Sequence, residues 1–344
     1  IGNIGYIFSL QGQVKEALDY FNRSLKIEEE IDDKEGVASS LNHIGLIYNN
    51  QGKVKEAVDY YSRSLKIREE IGDEKGIALS LNNIGTIYND KGQVKEALVY
   101  YNRSLKIYED LDDKEGVALS LNNIGLIYND QGKIKEALDY YDRSLKIRDE
   151  IGDKKGVAFS LNNIASLYAS QGKTKEALAC YDSSLKILEE IGNKAGIASS
   201  LNNIGAIYNT QGQQEEALDY YTRSLKIRKE LGAKEGIAIS LNNIGYIYKD
   251  QGQLKEALDY FSRSLKILEE IGFKAGIATS LNNNGYIYDK LGKIKEALDY
   301  YNRSLKMQEE LGNKAGIALS LINIGNIYDD QGQLNKALAF GKKS

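Results

Sequence analysis

Gly172, Lys173 and Thr174 spell the end of a phosphate-binding loop. Such a loop needs another glycine five residues earlier and a preceding strand, because its backbone N–H groups surround the phosphates. The residue five positions before Gly172 is Leu167, in a stretch with helical periodicity. We therefore interpret the motif as a chance match and predict no cofactor.

The chain has one histidine, His43, and one cysteine, Cys180. A nucleophilic site would need the two side chains to meet, and one residue of each type is too few for a His/Cys zinc site. Acidic pairs such as Glu29-Glu30 recur at a fixed spacing, as expected of a solvated face. We therefore expect no catalytic residue, no metal site and no enzymatic activity.

The glycines show how the chain is organised. All but two of the 33 glycines, in a chain of 344 residues without proline, fall in four columns that repeat every 40 residues. The columns begin at Gly5, Gly12, Gly36 and Gly72, and Ala165 fills one gap in the first of them. Collagen needs glycine at every third residue, and a disordered glycine-rich chain keeps no such period. The sequence is therefore that of a repeat protein, in which each unit packs on its neighbours.

Charge and composition exclude several partners. The net charge of -4 leaves no positive footprint for nucleic acid or for an anionic membrane. No apolar run approaches the roughly 18 residues of a spanning helix. The single cysteine forms no internal disulfide and allows a reducing compartment, so we expect a cytoplasmic protein. Because the chain starts at Ile1 rather than Met, a removed targeting segment stays open.

Each repeat contains two helical patterns, which we name its first and second helix. Apolar residues recur at helical spacing over 121–128 and again over 134–151. Gly132 separates the two stripes and is predicted to end the first helix in the left-handed conformation. Gly152 is predicted to end the second helix, and Asp153 to cap the helix that follows. Glycine and aspartate thus mark the ends of the helices, and no helix end needs a proline.

Columns that do not vary among the repeats are predicted to be buried, among them those of Leu41, Ile44 and Tyr48. The Gly45 column lies inside the first helix at a cost of about 1 kcal/mol relative to alanine, which predicts a close approach of another helix. His43 and Cys180 lie three repeats apart, and each repeat adds two helices spaced about 8–10 Å. The two side chains therefore cannot meet.

One repeat carries a spaced series of residues: Leu121, Ile124, Gly125, Tyr128, Gly132, Ala137, Tyr141 and Ser144. This series resembles that of the tetratricopeptide repeat family, whose order is large apolar, Leu-Gly, Tyr, Gly, Ala, aromatic and Ala. The departures are a missing Trp, Ser for the last Ala, no terminal Pro, and a unit of 40 residues instead of 34. The long unit looks most like those of kinesin light chains and Pins/LGN adaptors. The resemblance implies an all-α, right-handed α-solenoid of stacked antiparallel helix pairs.

The face of the first helix opposite its packed stripe is the candidate partner surface. A helical wheel places Leu119, Asn123 and Leu126 there, with Asn122 at its edge. In the resembled family this side lines a concave groove. Paired asparagines recur along it: Asn82, Asn83, Asn122, Asn123, Asn162, Asn163, Asn202, Asn203, Asn242, Asn243, Asn282 and Asn283. An asparagine amide pairs with both the N–H and the C=O of an extended backbone, so these columns are predicted to hold a peptide.

Two other interpretations of this face stay open. One asparagine of each pair could instead bond neighbouring helix backbone and set the register of the stack. The column of Leu126 varies from repeat to repeat and includes Tyr246 and Tyr286, so it could orient a partner or reflect drift on an unused surface. Replacing the asparagines by alanine separates a loss of affinity from a loss of stability.

The sequence therefore predicts a single array over residues 1–344, of about 8.5 repeats and truncated at both ends. We expect it to bind a protein or peptide partner along its groove. A sensory or scaffolding segment of a larger signalling protein is the alternative. Another is a homo-oligomer that stacks end to end, because no polar capping helix is evident.

Overall fold

A computed structural model describes residues 1–10 and 13–341, and Gly12 lies outside them. The contacts divide the chain into two compact units, Ile1–Lys173 and Thr174–Ser344. Every regular element within the described residues is an α-helix, which confirms the predicted fold class of stacked helix pairs. No described helix is both long and apolar enough to cross a membrane. The prediction of one array over the whole chain stays a prediction.

Odd-numbered helices are the first helices of the repeats and even-numbered helices are the second. The unit Ile1–Lys173 contains α1 (Gly2–Leu10), α2 (Val14–Glu30), α3 (Lys34–Asn50), α4 (Val54–Ile71), α5 (Glu74–Asp90), α6 (Val94–Asp110), α7 (Lys114–Asp130), α8 (Ile134–Glu150) and α9 (Lys154–Ser170). The unit Thr174–Ser344 contains α10 (Thr174–Glu190), α11 (Lys194–Thr210), α12 (Gln214–Glu230), α13 (Lys234–Asp250), α14 (Leu254–Ile271), α15 (Lys274–Lys290), α16 (Ile294–Leu311), α17 (Lys314–Asp330) and α18 (Leu334–Gly341).

The helix ends follow the predicted signals. Gly132 and Gly152 have φ angles of 69° and 71°, in the left-handed region that glycine adopts without steric cost. The Asp153 carboxylate accepts the backbone N–H of Gly156 at 2.8 Å and so caps α9. Asp112 takes the left-handed conformation where most repeats have glycine, which aspartate tolerates better than most residues.

The glycine inside each first helix makes room for an aromatic ring. Tyr141 of α8 is almost fully buried, and a Cβ added to Gly125 of α7 would lie 2.8 Å from its ring. The group that needs the space is thus the side chain of a neighbouring helix, whereas the sequence suggested a close approach of the helix itself. Leu121 and Ile124 are fully buried as well. Each such aliphatic side chain contributes about 1.5–3 kcal/mol of hydrophobic stabilisation.

A serine replaces the alanine expected near the middle of the second helix because its hydroxyl bonds across the stack. Ser144 of α8 is fully buried, and its Oγ donates to the carbonyl of Ala118 in α7 at 2.8 Å. The same contact recurs one repeat earlier, where Ser104 donates to Ala78 at 2.7 Å. The departure from the family pattern therefore adds a buried hydrogen bond to each helix pair in which it occurs.

Ser64→Ala tests this contact. Ser64 is fully buried and donates to the carbonyl of Ala38 at 2.7 Å, so its replacement is expected to lower the free energy of unfolding by about 1 kcal/mol. Ser62 is exposed on the same helix, so Ser62→Ala is the matched control and is expected to change little. Urea unfolding followed by circular dichroism measures both variants. Equal stabilities for the two would contradict the assignment.

A pair of stacked aromatic rings closes the other end of most helix pairs. Tyr128 of α7 and Tyr140 of α8 stack with ring centroids 5.3 Å apart and planes 11° from parallel. Lys133 lies 5.4 Å from the centre of the first ring, and the Arg143 guanidinium lies 5.4 Å from the centre of the second. This repeated stack accounts for most of the tyrosines in the columns of Tyr48 and Tyr60.

Candidate peptide-binding groove

The residues of the apparent phosphate-loop motif and His43 lie in or beside the first helices. Gly172 and Lys173 form the turn after helix α9, so no strand precedes the phosphate-loop sequence. His43 lies within hydrogen-bonding distance of the Ser39 carbonyl through Nδ1, at 2.8 Å, and stacks on Phe21. Among the described residues, no group of three or more His, Cys, Asp or Glu side chains is arranged to hold a metal ion.

The groove face consists of the columns of Leu119, Asn123 and Leu126 on the first helices. Large apolar side chains are exposed on it in both units, as at Leu126 (39% exposed) and Tyr286 (38%). Phe159 is 52% exposed and Tyr246 is half-buried. The predicted face therefore carries solvent-accessible apolar side chains, which in a folded protein often mark an interaction surface.

The Asn123 column belongs to the groove face and the Asn122 column lies at its edge, and the predicted asparagines of both are at least partly buried. Asn82, Asn122 and Asn283 are buried. The remaining predicted asparagines are half-buried: Asn83, Asn123, Asn162, Asn163, Asn202, Asn203, Asn242, Asn243 and Asn282.

Within each unit, asparagines of successive repeats bond one another in what we name the asparagine ladder. The Nδ2 group of the second asparagine in a pair donates to the Oδ1 atom of the first asparagine in the preceding repeat. The bonds run from Asn83 to Asn42 (2.8 Å), Asn123 to Asn82 (3.1 Å), Asn163 to Asn122 (2.8 Å), Asn243 to Asn202 (2.9 Å) and Asn323 to Asn282 (3.0 Å). One N–H of each donor is thus used inside the stack.

Asn82 shows how far such a residue can be tied into the fold. Its Nδ2 group donates to the hydroxyls of Ser104, at 2.6 Å, and Ser120, at 3.0 Å. Its Oδ1 atom accepts from Asn123 at 3.1 Å. These bonds join three helices of two successive repeats and set their register through side chains, whereas the sequence suggested that such a role would use helix backbone. The prediction that the columns hold a peptide stays a prediction.

The ladder is interrupted between α13 and α15. Asn242 donates to the Ser280 hydroxyl at 3.3 Å, and Asn283 accepts from the Tyr246 hydroxyl at 2.9 Å. The Oδ1 atom of Asn242 and the Nδ2 atom of Asn283 are buried without a hydrogen-bond partner in the described structure. Unpaired buried polar groups are rare because each costs about 1–3 kcal/mol.

Two tyrosines and two lysines cover the groove face beside this interruption. Lys249 Nζ lies 5.0 Å from the centre of the Tyr246 ring and 5.6 Å from that of Tyr286. Lys290 Nζ lies 5.4 Å from the centre of the Tyr286 ring. Each lysine also lies within ion-pair distance of the aspartate next to it in sequence, at 3.1 Å and 3.5 Å. The result is an aromatic surface with cationic groups held over the rings.

Sequence reasoning missed a column near the ends of the second helices in which most residues are polar. Its residues are Glu28, Arg68, Tyr108, Arg148, Leu188, Arg228, Leu268 and Gln308. Arg68 is only 7% exposed and packs against Gly76 at the start of α5. Burial lowers the pKa of Arg68, although the nearby Asp73 carboxylate opposes this change. The signal in the sequence was a position that alternates between polar and apolar residues within a buried stripe.

Comparison with known families identifies the repeat. A family model described as tetratricopeptide repeat matches residues 1–70, 76–150, 156–230, 236–310 and 276–344. The chain belongs to the tetratricopeptide repeat family. No curated protein matches this tetratricopeptide repeat chain.

Several solved structures share the fold. The apo form of the quorum sensor NprR from B. thuringiensis has a TM-score of 0.65 and 16% identity, over 97% of this chain and 98% of that chain. A Rap protein complexed with competence and sporulation factor has a TM-score of 0.62 and 18% identity, over 87% of each chain. A signal transduction ATPase with a tetratricopeptide repeat sensor from Pyrococcus horikoshii has a TM-score of 0.67 and 17% identity, over 96% of this chain and 52% of that chain.

Proposed function

We propose that this tetratricopeptide repeat chain binds a peptide, or a peptide segment of a protein partner, along its groove face. The observation that carries the proposal is the interrupted ladder at Asn242 and Asn283, which leaves one acceptor and one donor unpaired. A peptide backbone supplies the complementary N–H and C=O groups. The Tyr246 hydroxyl donates to Asn283 Oδ1 at 2.9 Å, so binding at Asn283 requires the tyrosine ring to move aside.

The side chains around the interruption provide selection. Tyr286 presents an exposed ring, and aromatic residues in such positions often dominate the affinity of an interface. Lys249 lies between the Tyr246 and Tyr286 rings. An apolar or aromatic peptide side chain packs on the tyrosines, while the lysines favour a partner that carries hydrogen-bond acceptors.

The ladder leaves binding groups in the other repeats as well. Asn123 is half-buried and uses one N–H for Asn82, so its second N–H and its Oδ1 atom have no hydrogen bond within the described structure. The same holds for Asn163, which donates to Asn122. These atoms are available to bond a peptide backbone. The columns of Leu126 and Phe159 lie beside them and hold different residues in different repeats, so they select the side chains of the peptide.

The names of similar structures favour the same class of role. One is a quorum sensor, and another is complexed with a competence and sporulation factor. A sensory segment within a longer signalling protein is the second candidate function. It is favoured by the structural similarity to an ATPase whose tetratricopeptide repeats are named as a sensor and of which this chain spans about half.

Panning random displayed peptides against the whole chain tests the proposal. We expect enriched peptides, and we expect the double variant Asn283→Ala/Tyr286→Ala to weaken their binding by about tenfold or more, as measured by fluorescence anisotropy. Leu231 is exposed at the end of α12, away from the groove face, so Leu231→Ala is the matched control. Failure to enrich any peptide, or equal affinities for the double variant and the control, would overturn the proposal.

A further inference from the structure

Arg68 is a buried cation whose hydrogen-bonding capacity is unused. Its guanidinium carries five N–H donors, yet its Nε is buried without a partner and no hydrogen bond to the rest of the described chain is formed. Its nearest opposite charge is Asp73 Oδ2, 3.8 Å from Nη1, which is beyond hydrogen-bonding distance. A side chain that is only 7% exposed is therefore charged and unsatisfied.

The other arginines of this column are satisfied within the fold. Arg148 donates from Nε to the Ser144 hydroxyl at 3.2 Å. Arg228 donates from Nη1 to the carbonyl of Gly236 at 2.7 Å and to the Ser240 hydroxyl at 3.0 Å. Ser80 has the same position relative to Arg68 as Ser240 has relative to Arg228, and the Ser80 hydroxyl has no hydrogen-bond partner. Arg68 is thus the one arginine of this column that forms no hydrogen bond within the described chain.

Arg68 lines a cleft of about 370 Å³ between the N-terminal ends of α5 and α7. Tyr108, which occupies the Arg68 column one repeat later, also lines the cleft, and its hydroxyl forms no hydrogen bond with the described chain. Leu79 and Leu119 line the cleft as well, and both belong to the groove face. The cleft therefore adjoins the surface proposed to bind a peptide.

The charged residues that line the cleft are the cations Arg68 and Lys75 and the carboxylates Asp73, Asp113 and Glu115. Asp113 is already paired, because it lies 2.6 Å from Lys75 Nζ and accepts the Gly116 N–H at 3.0 Å. Asp73 accepts the Gly76 N–H at 2.9 Å as the cap of α5. The two aspartates thus serve the helix ends and Lys75. The positive ends of two helix dipoles add to the attraction for an anion.

We propose that this cleft holds an acidic side chain of the bound peptide, with the Arg68 guanidinium and the Tyr108 hydroxyl as its hydrogen-bond donors. A carboxylate fits because its two oxygens accept parallel N–H bonds from one guanidinium, and charge-assisted bonds of this kind are about twice as strong as neutral ones. The methylene groups of the side chain pack between Leu79 and Leu119. The proposal rests on the proposed function and names the residue type that the groove selects beside α5 and α7.

A peptide library with Glu or Gln at each varied position tests it, because the two side chains differ in charge but hardly in shape. Panning against the whole chain is expected to select Glu at one position, and the Gln version of the selected peptide to bind about tenfold more weakly. With Arg68→Gln the two versions are expected to bind equally. With Arg148→Gln, at a matched column position and burial, the preference for Glu is expected to persist.

Tyr108→Phe provides a second variant, since it removes one donor and keeps the buried ring. It is expected to reduce the preference for Glu, and circular dichroism verifies that each variant folds. Selection of peptides without a preference for Glu, or an unchanged preference in Arg68→Gln, would overturn the acidic subsite and leave the proposed function standing. If no peptide binds the chain at all, both proposals fail.

Discussion

Tyr141→Ala is expected to lower the free energy of unfolding by about 3–5 kcal/mol, the range found when buried aromatic residues are cut back to alanine. Tyr141 is 1% exposed and fills the space above Gly125, where no side chain of the facing helix can replace it. The glycine that admits the ring would then border a cavity. Urea unfolding monitored by circular dichroism gives the change from the shift in midpoint and the slope.

The neighbouring tyrosine is the control for this prediction. Tyr140 is half-buried in the stack with Tyr128 and the cation of Arg143, so Tyr140→Ala removes partly solvated contacts and leaves no enclosed cavity. The decrease in the free energy of unfolding is expected to be clearly smaller for Tyr140→Ala than for Tyr141→Ala. If the two variants were equally destabilised, the ring of Tyr141 would not be the principal reason for the glycine column.

Asn82→Leu is expected to lower the free energy of unfolding by about 2 kcal/mol, because it removes three hydrogen bonds while keeping a side chain of similar size. The Ser120 hydroxyl loses the amide that donates to it, and Asn123 loses its acceptor. Because the ladder joins successive repeats, the loss should appear as an earlier unfolding transition in urea. Nuclear magnetic resonance of the asparagine side-chain amides would show the signal of Asn123 moving towards that of a solvent-exposed amide.

Asn242→Leu is the matched variant in the other unit. Asn242 has an unpaired Oδ1 atom and donates one hydrogen bond, to Ser280 at 3.3 Å. Its replacement therefore removes fewer hydrogen bonds than Asn82→Leu. We expect a change of under about 1 kcal/mol. An equal or larger loss than in Asn82→Leu would show that the interruption between Asn242 and Asn283 is absent in solution.

The fold follows closely from local patterns. The period of the glycines, the apolar stripes and the Asp153 cap predict the helix pairs, because helix ends and buried faces depend on residues that are near one another in sequence. The Gly125 column predicted a close approach but not its cause, since the ring of Tyr141 belongs to the next helix. Ser144 was visible in the sequence as a departure from the family's alanine. Its hydrogen bond was not, because the acceptor is the carbonyl of Ala118, 26 positions earlier in the neighbouring helix.

The candidate site was predictable only in outline. The exposure of Leu126 and Tyr286 follows from the helical wheel, so the face itself could be assigned from the sequence. The ladder could not, because its bonds join residues 41 positions apart whose identities are the same in almost every repeat. A pattern that repeats gives no reason for one pair to differ. The sole sequence sign near the interruption is Asn284, which replaces the isoleucine of the other repeats and binds Ser262 and Ser280.

The sequence by itself determined that this protein is an array of helix pairs, where each helix ends, and which face of the first helices is free of the core. It did so because glycine, the caps and the apolar stripes act over one or two helical turns. Tertiary structure alone decided which polar groups are left unpaired, as at Arg68 and Asn283. Hydrogen-bond satisfaction depends on distances between side chains of different repeats, and nearly identical repeats can pair those side chains in different ways.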